Sequence, residues 1–391
     1  MLNAFWRERS FLALSLFFFL LFSFSAISQV KYETIYSEKL GEDREIKIQL
    51  PRNYESNSEK RYPIFIVLDG DYLFEPVAGN VDFYSYWEDM PEAIVVGINQ
   101  LETRIDDGYF DDTNYFPSNS GANFFEFIGL ELLPYLDTNY RTAKFVIAVG
   151  HDYTSNFINY YLFKDPALFQ GYINLSPDFA PMMAERLTEK LSTIKQKTWF
   201  YMATGTDDIK SIREDVIYTD KQLSLVDNAA VNYYFDDFEG ATHYSLVGRA
   251  IPKAIEDIFS IYRPISNKQY KEELLNIEGS LYSYLIEKYN VIEELFGLDN
   301  TIRINDFQAI SAAIEKLEKW NDYEELGRLA RKEHPDTMLG NYYLGRFYEE
   351  TGEPKKAMRT YQSAFLLQEV GNLTKDLMLE KSDAIKADFG Y

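Results

Sequence analysis

Short runs of β-branched and aromatic residues, spaced along the first two thirds of the chain, limit what this sequence can fold into. Ile64 to Leu68, Ala93 to Ile98, Phe145 to Val149, Tyr172 to Leu175 and Trp199 to Ala203 are almost continuously apolar. Runs of this length and composition predict strands buried on both faces. Glu45 to Leu50 instead alternates polar with apolar residues until Pro51, which predicts a half-buried strand, and Val231 to Phe235 closes the series. Helical stretches fall between the strands; Phe124 to Leu136, with Pro134 near its end, has apolar residues at helical spacing. Strands alternating with helices from Val30 to about Pro264 imply a mostly parallel sheet covered on both faces. The predicted class is α/β.

Past Pro264 the strand signals stop. Residues 265–391 are rich in Glu, Lys, Leu, Ala and Tyr with helical periodicity, so a second, all-α unit is expected there. Leu344, Gly345, Tyr348, Gly352, Ala357, Tyr361 and Ala364 fall at the offsets of a tetratricopeptide repeat, and a degenerate copy precedes it with Ala330 and Pro335. About two such repeats are expected over 304–371. Repeats bury their apolar faces only against neighbours, so they should pack on the preceding helices or on the α/β unit. A protein or peptide is the partner they imply, with a stabilising tail as the alternative.

The first residues read as an export signal. Arg7 and Arg9 precede the apolar run Phe11 to Phe24, and Ala26 and Ser28 frame a cleavage point before Gln29. Residues 1–28 are therefore expected to be removed, leaving 29–264 and 265–391 as a periplasmic or extracellular protein with no membrane insertion. The formal charge of −23 repels phosphates, which argues against nucleic acid as a partner. There is no cysteine, which excludes thiol chemistry, and with three histidines, His151, His243 and His334, a histidine-rich metal site is not expected. No cofactor or metal is expected.

Four stretches carry a resemblance. They are Val67-Leu68-Asp69-Gly70-Asp71-Tyr72-Leu73-Phe74; Val95-Val96-Gly97-Ile98 followed by Arg104 and Asp106; Glu131-Leu132-Leu133-Pro134-Tyr135-Leu136 with Tyr140-Arg141; and Leu168-Phe169-Gln170-Gly171-Tyr172 through Ser176-Pro177. Their order between Val67 and Pro177 resembles the enterochelin-esterase and esterase-D-like branch of the α/β-hydrolases. The resemblance implies an α/β-hydrolase fold and an ester-like small-molecule ligand. It also implies an oxyanion or ligand pocket drawing on Asp71, Tyr72 and Tyr153.

Ala148-Val149-Gly150-His151-Asp152-Tyr153-Thr154 stands where that family has its G-x-S-x-G turn, which presents a serine nucleophile above the sheet. Gly150 and His151 match, Asp152 takes the place of the serine, and Thr154 takes that of the second glycine, where its branch should crowd the strand–helix approach. The resemblance further puts the base at His243 and the acid at Asp207 or Asp208. A carboxylate has no proton to lose, is a poor acyl nucleophile, and brings negative charge to where an oxyanion must form. The expected function is therefore ligand or partner binding by an impaired or inactive esterase-like protein. The alternative is an active hydrolase, either a carboxylic ester hydrolase with an unconventional site or an aspartate-nucleophile enzyme. Gly-His-Asp followed by an aromatic residue resembles epoxide hydrolases and haloalkane dehalogenases, although little room for their helical cap lies between Ser176 and Trp199.

Other residues near these motifs have structural readings. Asp152 can be a buried or capping carboxylate at a helix N-terminus, with or without His243 as its ion-pair partner. His151 is expected to be structural, Ser155 to point away, and Ser176 to belong to a turn. Asp106, Asp107, Asp111 and Asp112 read as a solvated loop, and His334 as a surface residue.

Overall fold

An eight-stranded sheet, ordered β1-β2-β4-β3-β5-β6-β7-β8, forms the frame of the chain. The computed structural model describes residues 30–298 and 301–390, so the export signal expected over residues 1–28 lies outside the described residues. The strands are β1 (Val30–Ser37), β2 (Glu42–Gln49), β3 (Tyr62–Val67), β4 (Ile94–Ile98), β5 (Thr142–His151), β6 (Gly171–Leu175), β7 (Thr198–Asp207) and β8 (Val231–Thr242). β1 and β2 form an antiparallel hairpin, and β2 joins β4 antiparallel. From β4 onward every pair is parallel. The chain runs from β3 outward to β4 and then returns across β3 to β5, so sheet order reverses there. Ligand crevices in open α/β sheets form at the carboxyl ends of strands at such a reversal.

Helices cover both faces. In chain order they include α1 (Phe74–Tyr86), α2 (Arg104–Asp107), α3 (Asn119–Glu126), α4 (Leu133–Asn139), α5 (Tyr153–Ile158), α6 (Met183–Thr193), α7 (Lys210–Leu223) and α8 (Val247–Ile258). The helix expected over Phe124 to Leu136 is interrupted by a wider π-helical segment at Phe127–Leu132. Pro134 then lies at the start of α4 rather than near a helix end. A proline has no N–H to donate and its ring crowds the carbonyl one turn back, and a widened turn accommodates both. Two buried clusters pack on opposite faces of the sheet, one around Ile66, Ala148 and Phe157, the other around Val67, Val149 and Ile255.

After β8 all regular structure is helical, with α9 (Asn267–Glu272), α10 (Leu281–Phe296), α11 (Ile304–Leu317), α12 (Asp322–Glu333), α13 (Leu339–Glu350), α14 (Pro354–Ser363) and α15 (Lys375–Phe389). A third apolar cluster holds these helices together. Where α13 meets α14, a Cβ on Gly345 would fall 2.2 Å from Cε1 of Tyr361, so only glycine permits that crossing. The tail is also anchored on the sheet. Phe296, the last residue of α10, meets Phe145 of β5 edge-on at 4.8 Å and lies 5.3 Å from Phe259. Lys288 and Asp306 form a buried ion pair at 3.2 Å, and Asp306 also accepts the backbone N–H of Ile265 in the linker. His334, expected at the surface, bonds through Nε2 to the carbonyl of Ile302 and packs against Phe307. The residue thus ties α12 to the start of α11.

Candidate functional site

The site begins at the end of β5. A Cβ on Gly150 would lie 2.7 Å from the backbone N and Cα of Ser155, so α5 can fold back onto the strand only if residue 150 is glycine. Asp152 turns the corner between them with φ 60° and ψ −121°. A non-glycine residue in that region costs of the order of 1–3 kcal/mol and persists only where its surroundings fix it. Here they do. The Asp152 N–H donates to the carbonyl of Leu175 at 3.0 Å, and its own carbonyl accepts from Ser155, Asn156 and Asp178.

The Asp152 carboxylate makes no capping bond to α5 and is 25% exposed, so the buried or capping role does not describe it. Its Oδ2 instead receives both terminal nitrogens of Arg104, each at 3.2 Å. Arg104 also grips Asp69, with Nε to Oδ1 at 2.7 Å and an Nη to Oδ2 at 3.1 Å, and donates to the carbonyl of His151. Burial opposes the guanidinium charge, but the bonds and charge of Asp69 outweigh it and push the Arg104 pKa further up. Asp69 is itself buried at the end of β3, at φ 53°.

Thr154, expected to crowd the turn, is accommodated. Its hydroxyl accepts from the His151 N–H and donates to Asp69 Oδ2 at 2.7 Å, so the branch lies toward β3 and serves the same carboxylate. The close approach is carried by Gly150 alone. Asp107, grouped above with a solvated acidic loop, is buried and bound by Arg44 at 2.5 and 3.0 Å. Asp106, Asp111 and Asp112 remain outside this pair.

His243 faces Asp152 from the loop after β8. Its Nδ1 bonds Asp208 Oδ1 at 2.9 Å, while Nε2 lies 3.8 Å from Asp152 Oδ1. Of the two acid candidates, Asp208 meets His243; Asp207 is exposed and belongs to the β7 ladder opposite Thr242. Burial raises the Asp208 pKa, but bonds from His243, Ser176, Thr204 and the Ile209 amide overcome it and hold the group well below the usual carboxylate range. Ser176 donates to Asp208 Oδ2 at 2.6 Å and lies 3.0 Å from His243 Nδ1, on the acid side of the ring rather than the side facing Asp152. Ser155 points to Asn174.

Tyr72 places its hydroxyl 3.0 Å from Asp69 Oδ2 and 2.9 Å from His151 Nδ1. His151 Nε2 is 3.0 Å from the carbonyl of His243, which can only accept, so Nε2 carries a proton; the single Tyr72 hydroxyl proton goes to Asp69 Oδ2, with His151 Nδ1 as the phenol oxygen's second neighbour. Burial and the neighbouring His243 lower the His151 pKa. The Asp71 carboxylate is occupied by the Gln100 amide at 2.6 Å. The Tyr153 ring packs over Gly108 and Phe110. Its amide is the first of α5 and, like the other amides of a helix start, has no acceptor within the helix. Among the described residues no group of three or more His, Cys, Asp or Glu has the arrangement to hold a metal ion. Chemically, the arrangement offers a histidine oriented by Asp208, a carboxylate held on one oxygen by arginine, and an amide donor.

The role of Arg104 is the part that motif reading missed, because nothing in the spacing of residues 104 and 152 brings them together. The available signal was the pairing of two acids, Asp69 and Asp152, at the ends of strands that the topology makes neighbours.

Residues 37–246 match the family described as Putative esterase. No curated protein matches. Among solved structures, an uncharacterised protein from Capnocytophaga ochracea is 30% identical and superposes with a TM-score of 0.82, covering 92% of this chain and 100% of that one. Such a span includes much of the helical tail. An IroE-like serine hydrolase from Shewanella oneidensis shares the fold at 21% identity and a TM-score of 0.57, over 78% of this chain and 99% of its own. The chain belongs to the Putative esterase family of the α/β-hydrolases.

Proposed function

We propose that this protein is an exported esterase-family member that binds a ligand or partner at a site where Asp152 stands in the nucleophile position and ester turnover is lost or impaired. The observation that carries the reading is the Arg104 clamp, which holds Asp152 Oδ2 by two contacts while His243 Nε2 stays 3.8 Å from the other oxygen. A serine at this turn would give the histidine a proton to take; a carboxylate already paired with arginine gives none. Its charge also stands at the turn where an oxyanion would have to form. Export rests on Arg7, Arg9 and the Phe11 to Phe24 run. Among the described residues no helix is long and apolar enough to cross a membrane. The tail, with glycine at the α13–α14 crossing and tetratricopeptide-like offsets, is assigned to peptide or protein binding or to stabilising the sheet.

The test is turnover of short-chain aryl esters by the mature protein beside its His243→Ala variant. Equal, background rates are expected, and turnover that depends on His243 contradicts the reading. A second reading, aspartate-nucleophile hydrolysis, is favoured by the intact His243–Asp208 pair, which would activate water against an Asp152 ester. That mechanism requires heavy oxygen from labelled water to enter Asp152 during a single turnover. A single helix, α6, separates Ser176 from Trp199, so no cap of the kind those enzymes carry is present there.

A further inference from the structure

The mouth of the site holds more negative charge than its arginine answers, and its acceptors face one another without a donor between them. We propose that the site takes a ligand through a primary ammonium group that bridges Asp152 Oδ1 and His243 Nε2 from the side of the Tyr244 ring. This rests on the reading above, in which Asp152 is a standing carboxylate rather than a group turned over in catalysis.

Both Arg104 contacts to Asp152 fall on Oδ2, and the same guanidinium is shared with Asp69. Oδ1 is left facing the histidine. His243 is 6% exposed, and its Nε2 has no hydrogen-bond partner, Asp152 Oδ1 lying beyond bonding distance at 3.8 Å. With Nδ1 donating to Asp208, Nε2 is an acceptor whenever the ring carries a single proton. Two acceptors so close, one of them charged, call for a group with several donors and a positive charge. An ammonium has three donors and no acceptor. A hydroxyl would leave the charge standing, and a carboxylate or phosphate would meet Oδ1 head-on.

A second carboxylate strengthens the field. Asp178 lies beside the site, its amide bonding the Asp152 carbonyl. Partial loss of water around its carboxyl, together with the charges of Asp152 and Asp215, raises its pKa. Two like charges held at one opening are relieved by a cation. The rim suits one. Tyr244 is 78% exposed with its ring perpendicular to that of His243 at 5.1 Å, and the half-exposed Tyr72 ring lies 5.9 Å from that of His151. Aromatic faces beside carboxylates attract ammonium groups and cover the apolar stem that carries them.

The experiment is calorimetric titration of the mature protein with n-butylammonium, n-butanol and butyrate, with aryl-ester turnover assayed on the same samples. Saturable binding of butylammonium alone is expected, weakening as salt is added. Asp152→Asn, which removes the charge but keeps the shape, should weaken it at least about tenfold, the loss of one charge-assisted bond. Tyr244→Ala, at an exposed position that the fold does not need, should weaken it less. No saturable binding by butylammonium, or equal binding by Asp152→Asn, overturns the inference alone if ester turnover is also absent. Turnover dependent on His243 overturns the underlying reading, and this inference with it.

Discussion

Arg104 separates the two acids it joins. Asp69 is buried, whereas Asp152 is partly open to water, so losing the arginine strands a buried charge on one side and a solvated one on the other. Arg104→Met should destabilise the fold by about 3 kcal/mol, the lower end for breaking a buried pair. Asp152→Asn should cost about 1 kcal/mol, since a partly solvated pair at 3.2 Å contributes little and asparagine tolerates a positive φ. Urea unfolding of the two variants checks the difference. Acid should act on the same residues. His151 titrates lower in the folded protein than in the unfolded chain, so protonation favours unfolding and stability falls as pH drops below about 6.5. Asp208 is also depressed; its contribution is complete above the unfolded carboxylate value and is lost as pH falls below about 4. Asp208→Asn should therefore narrow its stability gap to the parent protein as the pH of the urea melts is taken below 4. At this scale the sequence showed which residue types were present but not which atoms met. Asp152, His243 and a nearby acid could be named from motif order. The choice of Asp208 over Asp207, the Asp69–Arg104–Asp152 chain and the second role of Ser176 depend on side-chain directions that spacing does not encode.

Elements were more legible where burial is uniform. The runs at Ile64, Phe145 and Trp199 become β3, β5 and β7 because a strand covered on both faces needs apolar residues throughout. β1 gave a weaker signal, since an edge strand carries Lys31 and Glu33 among its aromatic residues and its identity comes from pairing with β2. The break ahead of α4 was hidden because Pro134 can start a helical segment as well as end one. The turn at Asp152 was legible through Gly150, and the effect of Thr154 was not, because its hydroxyl finds a partner on a distant strand. Gly150→Ala should cost about 1–3 kcal/mol or more, since the new methyl meets backbone rather than a movable side chain. Thermal melts of the variant would show it, and an unchanged midpoint would contradict the packing described.

Across the whole molecule the helical tail and the sheet share a boundary that has its own core. Phe296 enters the cluster on the β5–β7 face although it belongs to a tail helix, and the Lys288–Asp306 pair fastens the linker beside it. Phe296→Ala should lower stability by about 3–5 kcal/mol. The sheet and the tail should still unfold in one transition, and two separated transitions in the parent protein would contradict a shared core. The boundary near 265 was visible as a change of periodicity, but the reach of α10 back into the sheet was not, because an aromatic residue at a helix end carries no mark of its partner. The central claim, that a clamped carboxylate at the β5 turn has removed acyl transfer from an otherwise assembled site, is tested most directly by the kcat/KM of the Asp152→Ser variant on an aryl acetate. The account predicts a gain of about a hundredfold over the parent protein, short of the several powers of ten that a complete triad supplies. A parent protein that already matches the serine variant, and loses its rate in His243→Ala, would contradict it.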